Sequence, residues 1–282
     1  MEIDQLPELE LLRPDIIRKG LSHTMFKKNI VFHDNINSTN LLAKELGAGG
    51  ATEGTLVITE KQTGGRGRRG RKWISPAYVN LLFSMLLRPS VKAEQVFGMT
   101  MIMAIAVVDA ISKTSGLNPL IKWPNDIYIN KKKLGGILTE FSMSGKVVDY
   151  VVIGLGLNVN WKPVNDNSML FPVTSVCSET GCQVSRENIL VSILKRFDLY
   201  YRDVMIGNLD EYYKKWNERS MIIGEQVIIE TPEKKIFGKA VSIDRNGSLI
   251  ILDNKGRYQS ILCGDVSVRE IKNDDGSVWK AF

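Results

Sequence analysis

The sequence predicts an α+β chain: a large domain of apolar strands and helices followed by a small all-β module. Three observations carry this. Residues 54–59 and 79–87 are apolar, rich in branched side chains and without strict alternation, as in strands covered on both faces. Residues 93–115, and Ile189, Leu190, Ile193, Leu194, Phe197 and Tyr201, follow helical spacing. Beyond Ser220 short strands alternate with Thr-Pro, Asn-Gly and Asn-Lys-Gly turns. With 282 residues, 44% of them hydrophobic, the chain can bury a substantial core and divide into a segment 1–29, a large domain 30–219 and a small domain 220–282.

Residues 1–30 hold at most a short helix, with Pro14 at its first position and Gly20 near its end, too little for a DNA-binding domain. The acidic start Met1-Glu2-Ile3-Asp4 lacks an export pattern. Residues 30–34 read as a strand, and Asn37-Ser38-Thr39-Asn40 opens a helix ending at Gly47, with Ser38 or Thr39 as N-cap. Hydroxyls and N–H groups at such a helix start can equally hold a polar ligand. The helix 93–115 stops at Gly116, and its longest apolar stretch, 96–111, is interrupted by Asp109 and falls short of the ~20 residues of a membrane span. Residues 120–130 read as two strand pieces hinged at Trp123-Pro124-Asn125, because proline cannot sit inside a ladder. The triplet Lys131-Lys132-Lys133 reads as a solvated turn, so local sequence gives Lys133 no role. Strands follow at 134–141 and 147–157, where Gly154 and Gly156 allow close approach. An irregular stretch, 158–178, precedes helices from Ser185 and over 209–216. The strands 226–230, 236–243, 248–252 and 258–268 then suggest a small barrel or sandwich.

Between the first two covered strands lies the loop Gln62-Thr63-Gly64-Gly65-Arg66-Gly67-Arg68-Arg69-Gly70-Arg71-Lys72-Trp73. From Lys61 to Lys72 it carries six cations and no anion, and the whole chain is only +6, so the remainder is close to neutral. Its four glycines let backbone N–H groups approach a ligand, and guanidinium forks suit carboxylate or phosphate. Taken alone, the loop fits a small-molecule anion site, a nucleic-acid contact or a solvated face. Pinned between two core strands, it is poorly suited to being a free tail.

Three cysteines, Cys177, Cys182 and Cys263, are odd in number and lack C-x-x-C spacing, which indicates neither a disulfide framework nor a zinc knuckle and fits a reducing cytoplasm. With His23 and His33 alone, a multi-histidine metal site is excluded and a Ser-His-Asp hydrolase is hard to build.

Taken together, Ser38-Thr39-Asn40, the loop 62–73, K-W-P-N-D-I-Y-I-N-K-K-K-L-G-G over 122–136 and I-G-L-G-L-N over 153–158 resemble the biotin–protein ligase family (biotin–[acetyl-CoA-carboxylase] ligases). The resemblance spans roughly residues 30–270 and implies a mixed sheet flanked by helices, like that of class II synthetases, with a C-terminal SH3-like barrel. It makes 30–219 a catalytic biotin- and ATP-binding domain. It also implies a two-step reaction: biotin and ATP give biotinyl-5′-AMP and pyrophosphate, then a lysine of a biotin carboxyl carrier protein of acetyl-CoA or pyruvate carboxylase takes the biotinyl group.

Bringing a carboxylate to a polyphosphate opposes like charges, worth about 4 kcal/mol at ~4 Å and an effective dielectric of 20, so cations must be preset. By resemblance Arg66, Arg68 and Lys133 supply them, Gly65 and Gly67 give close backbone approach, and Mg²⁺ arrives with ATP. Ser38, Thr39, Asn40, Gln62, Arg66, Gly67, Arg68 and Lys133 match biotin-binding positions, hydroxyls and amides suiting the donors and acceptor of the ureido ring. Gly65, Arg66, Arg68, Arg71, Trp73, Asn125, Lys133 and Asn158 match the nucleotide side, with Trp73 near adenine. Two roles stand open for the fourth catalytic candidate, Asp126: orienting Lys122 or accepting the incoming amine's proton. The loop is expected to be mobile when empty and ordered by the adenylate. The resemblance implies no membrane partner, allows a homodimer through sheet edges, and concerns the short form without the N-terminal DNA-binding domain of repressor relatives. The rival readings are a lipoate–protein ligase and a basic nucleic-acid-binding module.

Overall fold

The computed structural model describes residues 11–163, 172–231, 234–262 and 264–267. The acidic start, part of the irregular stretch 158–178, Cys263 and Val268 lie outside the described residues. A helix α1 (Pro14–Gly20) leads to the first strand, with proline in its first turn. Seven strands, β1 (Ile30–Ile36), β2 (Thr55–Gln62), β3 (Leu81–Leu87), β4 (Leu120–Lys122), β5 (Asp126–Ile129), β6 (Lys132–Ser144) and β7 (Val147–Leu157), form one sheet in the order β1-β2-β3-β7-β6-β5-β4. β1 and β2 run parallel through the crossover helix α2 (Thr39–Ala48), and every other pairing is antiparallel, so the sheet is mixed.

Alternation divides the strands between two faces. Leu56, Ile58, Phe83, Met85, Ile153 and Leu155 belong to the main core with helices α3 (Phe97–Ser115) and α5 (Arg186–Met205). α3 is apolar all round because it is sandwiched. Together with the 3-10 turn before it, the helical segment spans 93–115 as read from the sequence; against the expectation it is long and apolar enough to cross a bilayer by length and composition, yet most of it is buried in this core. On the opposite face α2 lays Ala43, Leu42 and Leu46 over Val57, Leu86, Tyr150 and Val152.

The lysine triplet is not the turn. Asn130 and Lys131, at φ 46° and 65°, form a two-residue connection between β5 and β6, the left-handed pair such a hairpin demands. Lys132 and Lys133 are therefore strand residues. A register shift between Ile127 and Tyr128 pairs Tyr128 with Lys133, giving Lys133 the same phase as Asp126 across the hairpin.

Within the stretch read as irregular sits a five-residue helix α4 (Val176–Thr180), capped by Ser175. Ser185 caps α5 by accepting from the Asn188 N–H. After α6 (Leu209–Glu218), the strands β8 (Gln226–Glu230), β9 (Lys235–Ile243), β10 (Leu249–Leu252), β11 (Tyr258–Ile261) and β12 (Asp265–Ser267) form an antiparallel sheet in the order β11-β10-β9-β8-β12. The expected barrel or sandwich is not closed among the described residues, since β11 and β12 are opposite edges. The run read as one strand over 258–268 is two, because the chain crosses between edges at Gly264, where a Cβ would stand 2.5 Å from an Ile229 methyl. The module is tied to the large sheet: the Trp123 indole N–H donates to the Gly247 carbonyl (2.8 Å), and Ile121 is bridged to Ser220.

One buried ion pair fixes the end of β2, just before the basic loop. Glu60 meets Arg186 at 2.6 and 3.2 Å and accepts the Leu12 N–H, while Arg186 also donates to the Asn80 carbonyl. Removing one partner strands the other charge in the core, so Arg186→Ala should lower unfolding stability by about 3–5 kcal/mol, whereas the paired change Glu60→Leu with Arg186→Met should recover most of it. Urea melts of the two variants beside the unaltered chain check this.

Candidate active site

Register dictates what the α2-side face displays. Lys122, Asp126, Gly136, Gly156 and Leu82 stand in one cross-strand row; Leu138, Gly154, Ser84 and Val57 form the next; Glu140, Val152 and Leu86 the third. The glycines leave a trough in that face. A Cβ at Gly156 would lie 2.4 Å from the Trp73 indole and one at Gly154 would lie 1.9 Å from the Asn40 carboxamide, so both approaches require glycine.

The basic loop covers the trough as a hairpin. The Gly67 N–H donates to Arg71 O (2.7 Å) and the Trp73 N–H to Gly65 O (3.0 Å), while Arg69 and Gly70, at φ 54° and 72°, reverse the chain. At its start the Gly64 N–H donates to Asn37 O (2.8 Å), tying the loop to the beginning of α2. Arg68 donates to Asn125 Oδ1 (3.3 Å), and Asn125 is held by mutual bonds with the Ile137 backbone. Arg66 lies close enough to favour the charged form of Glu140. Arg71, expected at the nucleotide, is instead ion-paired with Asp265 of β12, as is Arg69 (3.3 Å). The loop described here is therefore folded and docked, with Asp265 as an anchor that no sequence signal marked.

Lys133 and Asp126 meet at 2.8 Å, each about a quarter exposed, and the Lys133 ammonium lies 5.7 Å from the Trp73 ring centre. The Lys133 backbone is locked on its other side: its N–H donates to Pro172 O and its carbonyl accepts from the Thr174 N–H. The Asp126 carboxylate is ion-paired with Lys133, a pairing that is neither of the two roles left open for it. Lys122, next to Asp126 in the row, is buried with its ammonium 4.8 Å from the Tyr128 ring centre. Burial pulls its pKa down and the Lys133 charge pulls the same way, while Asp126 and Asp265 oppose them.

Beyond the trough, Asn158 donates to Thr174 O (2.9 Å), but its Oδ1 is buried without a partner, as is Trp73 Nε1. A buried polar atom left unpaired costs about 1–3 kcal/mol, so one acceptor and one donor here await a ligand or water.

At the other end, α2 begins at Ser38 as expected, yet no side-chain cap bond comes from Ser38. Gln62, at the end of β2, supplies it: its Oε1 accepts the Thr39 N–H at 2.8 Å. The parallel pairing of Ile36 with Gln62 brings that amide to the helix start. Thr39, Asn40 and Gln62 thus come together with two residues the sequence reading missed, Ser84 and Glu140. The Ser84 hydroxyl donates toward Thr39 Oγ1 (2.7 Å) and Asn40 Oδ1 (2.6 Å), and Asn40 Nδ2 donates to Glu140 Oε2 (2.9 Å), whose other oxygen, Oε1, accepts from Lys44 (2.8 Å). Burial pushes the Glu140 pKa up, but the hydrogen bonds from Lys44 and Asn40 with the charges of Lys44 and Arg66 outweigh it and hold the carboxyl below its usual range. A carboxylate and a hydroxyl inside otherwise apolar strands were the available signal.

Residues 32–158 match the model of the biotin/lipoate A/B protein ligase family, and residues 222–269 that of the biotin protein ligase C terminal domain. The bifunctional ligase/repressor BirA of Bacillus subtilis is 36% identical over 253 residues, 89% of this chain and 78% of its own. The biotin–[acetyl-CoA-carboxylase] ligase of Paracoccus denitrificans is 33% identical over 78% of this chain and 93% of its own. Among solved structures, the biotin protein ligase of Aquifex aeolicus in complex with biotin and ATP superposes with a TM-score of 0.73 at 30% identity, covering 85% of this chain and 98% of that one. Sequence relatives and fold converge: the chain belongs to the biotin protein ligase family.

Proposed function

We propose that the covered glycine trough is where this biotin ligase joins its two substrates, and that Lys133 paired with Asp126 across the β5–β6 hairpin is the observation that carries the assignment. The enzyme activates biotin with ATP and transfers it to a lysine of a carrier protein. In the first step a biotin carboxylate oxygen attacks the α-phosphorus and pyrophosphate leaves with its electron pair. In the second a neutral lysine amine attacks the acyl carbon, AMP leaves and an amide forms.

Lys133 and Arg68 bracket the α-phosphate and the carboxylate as charge gathers there, and Arg66 extends the positive field toward biotin. Gly65 and Gly67 let the backbone close on them. Ser38, Thr39, Asn40 and Gln62 hold the ureido ring; Trp73, Asn125 and Asn158 serve the nucleotide, whose base can satisfy the unpartnered Asn158 oxygen. Asp126, released from Lys133 when an anion takes that ammonium, is placed to accept the proton of the incoming amine. Arg71 acts from the Asp265 side, holding the loop shut. Mg²⁺ comes as part of the substrate MgATP, carried on the phosphates.

The acceptor is a biotin carboxyl carrier protein of acetyl-CoA or pyruvate carboxylase, and the setting is cytoplasmic, in keeping with Cys177 and Cys182 as free thiols. Residues 30–219 act as the catalytic domain and 220–282 as an SH3-like module, a reading supported by the match of residues 222–269 to the family's C-terminal domain. A homodimer would pair through β1, since the other edge, β4, is already bridged by Ser220. The lipoate reading is not favoured, since the Paracoccus denitrificans relative and the Aquifex aeolicus structure are biotin ligases.

Mass spectrometry of protein incubated with MgATP and biotin should reveal biotinyl-5′-AMP, with lipoate in its place giving none; no adenylate from biotin would overturn the assignment. Lys133→Gln should cost about 10²–10³-fold in kcat for adenylation, measured by pyrophosphate exchange, and leave the thermal midpoint nearly unchanged. Arg68→Gly should release the adenylate into solution and label bystander lysines, detected by streptavidin blotting of an added unrelated protein.

A further inference from the structure

The β7 side of β6 gives out before it reaches Lys133. The last pair there is Gly135 with Leu157, and residues 172–174 take over beside Lys133 as a short strap. The Lys133 N–H donates to Pro172 O (2.8 Å) and its carbonyl accepts the Thr174 N–H (2.9 Å), a parallel bridge centred on Val173. Thr174, 1% exposed, uses all its polar groups to tie the strap down: its N–H on Lys133, its carbonyl on the Asn158 amide (2.9 Å) and its hydroxyl on Glu179 Oε1 (2.5 Å). The other oxygen of Glu179 accepts from Asn130 Nδ2 (2.6 Å) in the β5–β6 turn, and Lys132 Nζ stands 3.5 Å from Oε1. Alternation sends Lys132 to the face opposite Lys133, so the carboxylate meets β6 on the side away from the trough. α4 brings it there: the N–H groups of buried Val176 and Cys177 donate to Asn158 O (3.2 Å) and Val159 O (2.8 Å), which fixes the first turn against the end of β7. Burial pushes the Glu179 pKa up, but hydrogen bonds from Thr174 and Asn130 and the Lys132 charge outweigh it and hold the carboxyl below its usual range, so it stays charged at neutral pH.

We infer that Glu179 is a positioning residue for adenylation: its one carboxylate fastens the strap 172–174 to the β5–β6 turn, and between these two Lys133 is held at Asp126. The inference rests on the proposed reading that Lys133 meets the α-phosphate. Each of the two parts is weakly held without it. Lys131, at φ 65°, lies where residues other than glycine are seldom found, so the turn gains from an outside hold on its neighbour Asn130. Among the described residues a single bridge joins the strap to β6, where a full strand would make several. A shift of either part carries the Lys133 backbone with it and takes the ammonium away from the reacting oxygens, which costs rate more than binding. Thr39, Asn40 and Gln62, which hold the ring, share none of these bonds.

Pyrophosphate exchange by the full chain, with kcat and the KM for biotin measured separately, tests this in Glu179→Ala, Thr174→Val, Lys133→Gln and the double variant Glu179→Ala/Lys133→Gln. Glu179→Ala is expected to lower kcat about tenfold and leave the KM for biotin within about twofold, since the lost group orients the reacting lysine and touches neither substrate. Thr174→Val keeps the backbone bonds to Lys133 and Asn158 and loses only the hydroxyl link to Glu179, so it should show the same split. Should Glu179→Ala fold poorly, Thr174→Val carries the comparison. In the Lys133→Gln background, adding Glu179→Ala should lower kcat no further, because Glu179 acts through Lys133. Unchanged kcat in the single variants at 174 and 179, a parallel rise in the KM for biotin, or losses that multiply in the double variant would overturn the inference. Full exchange activity in Lys133→Gln would instead remove the reading of the site on which the inference stands.

Discussion

Crowding of positive charge is the constraint on which the rest of this structure depends. Arg66, Arg68, Arg69, Arg71, Lys122 and Lys133 converge on one face of a sheet, and at Lys122 burial, with the charge of Lys133 added to it, pulls the pKa down. Three carboxylates make the arrangement possible: Asp126 for Lys133, Asp265 for Arg69 and Arg71, and Glu140 within the field of Arg66. Partly exposed pairs of this kind are worth little in net stability, commonly under about 1 kcal/mol, which suits them to being exchanged. An incoming phosphate can displace Asp126 from Lys133 at small cost, because one anion replaces another and the ammonium is never left bare. The site is therefore preset for anions without being locked by its own.

The large domain was legible because its signals are local and redundant. Covered strands announce themselves as apolar runs, α3 as a long apolar segment ended by Gly116 at φ 72°, and the kink at Trp123-Pro124 by the missing N–H of proline. What sequence could not give was phase. Lys131-Lys132-Lys133 looks like a solvated turn, and only the pairing of β5 with β6 shows that the turn is Asn130-Lys131 and that a register shift turns Lys133 toward Asp126. Ser84 and Glu140 were missed for a related reason: each is an ordinary polar residue in a strand, and its meaning lies in the neighbours that two strands and one helix bring within 3 Å. Asp265, distant in sequence from the loop it anchors, carried no signal at all. The C-terminal module was read correctly as short strands, but its outer pairings depend on the chain crossing at Gly264, which turn chemistry alone does not specify.

Glycine and tryptophan explain how a sheet becomes a cleft. A strand face of ordinary side chains would fill the space above it; at Gly136, Gly154 and Gly156 the face is instead bare backbone, recessed by the depth of a side chain. Trp73 lies in that recess with its indole nitrogen unpaired, and Asn158 keeps an unpaired oxygen under cover. Both atoms belong to the same functional half of the face, and both sit opposite in character to the other half, where Thr39, Ser84, Asn40 and Glu140 are saturated with mutual bonds. The two ends of the trough thus solve recognition differently. One is satisfied and rigid before any ligand arrives, which favours discrimination between similar rings; the other holds polar atoms in deficit, which favours tight closure over whatever completes them.

That asymmetry fits the order of events the chemistry demands. A carboxylate attacking a phosphate anhydride must be oriented before the second anion approaches, because repulsion between the two would otherwise displace the weaker-held partner. The rigid end lies against α2 and the sheet core, independent of the loop except at Gly64 and Arg66, so it can hold its ring while the loop is elsewhere. The deficit end is built from the loop itself, through Trp73 and Arg68, and is complete only when Arg69 and Arg71 reach Asp265. On the function proposed above, the docked loop covers the nucleotide end and keeps water from the reactive anhydride.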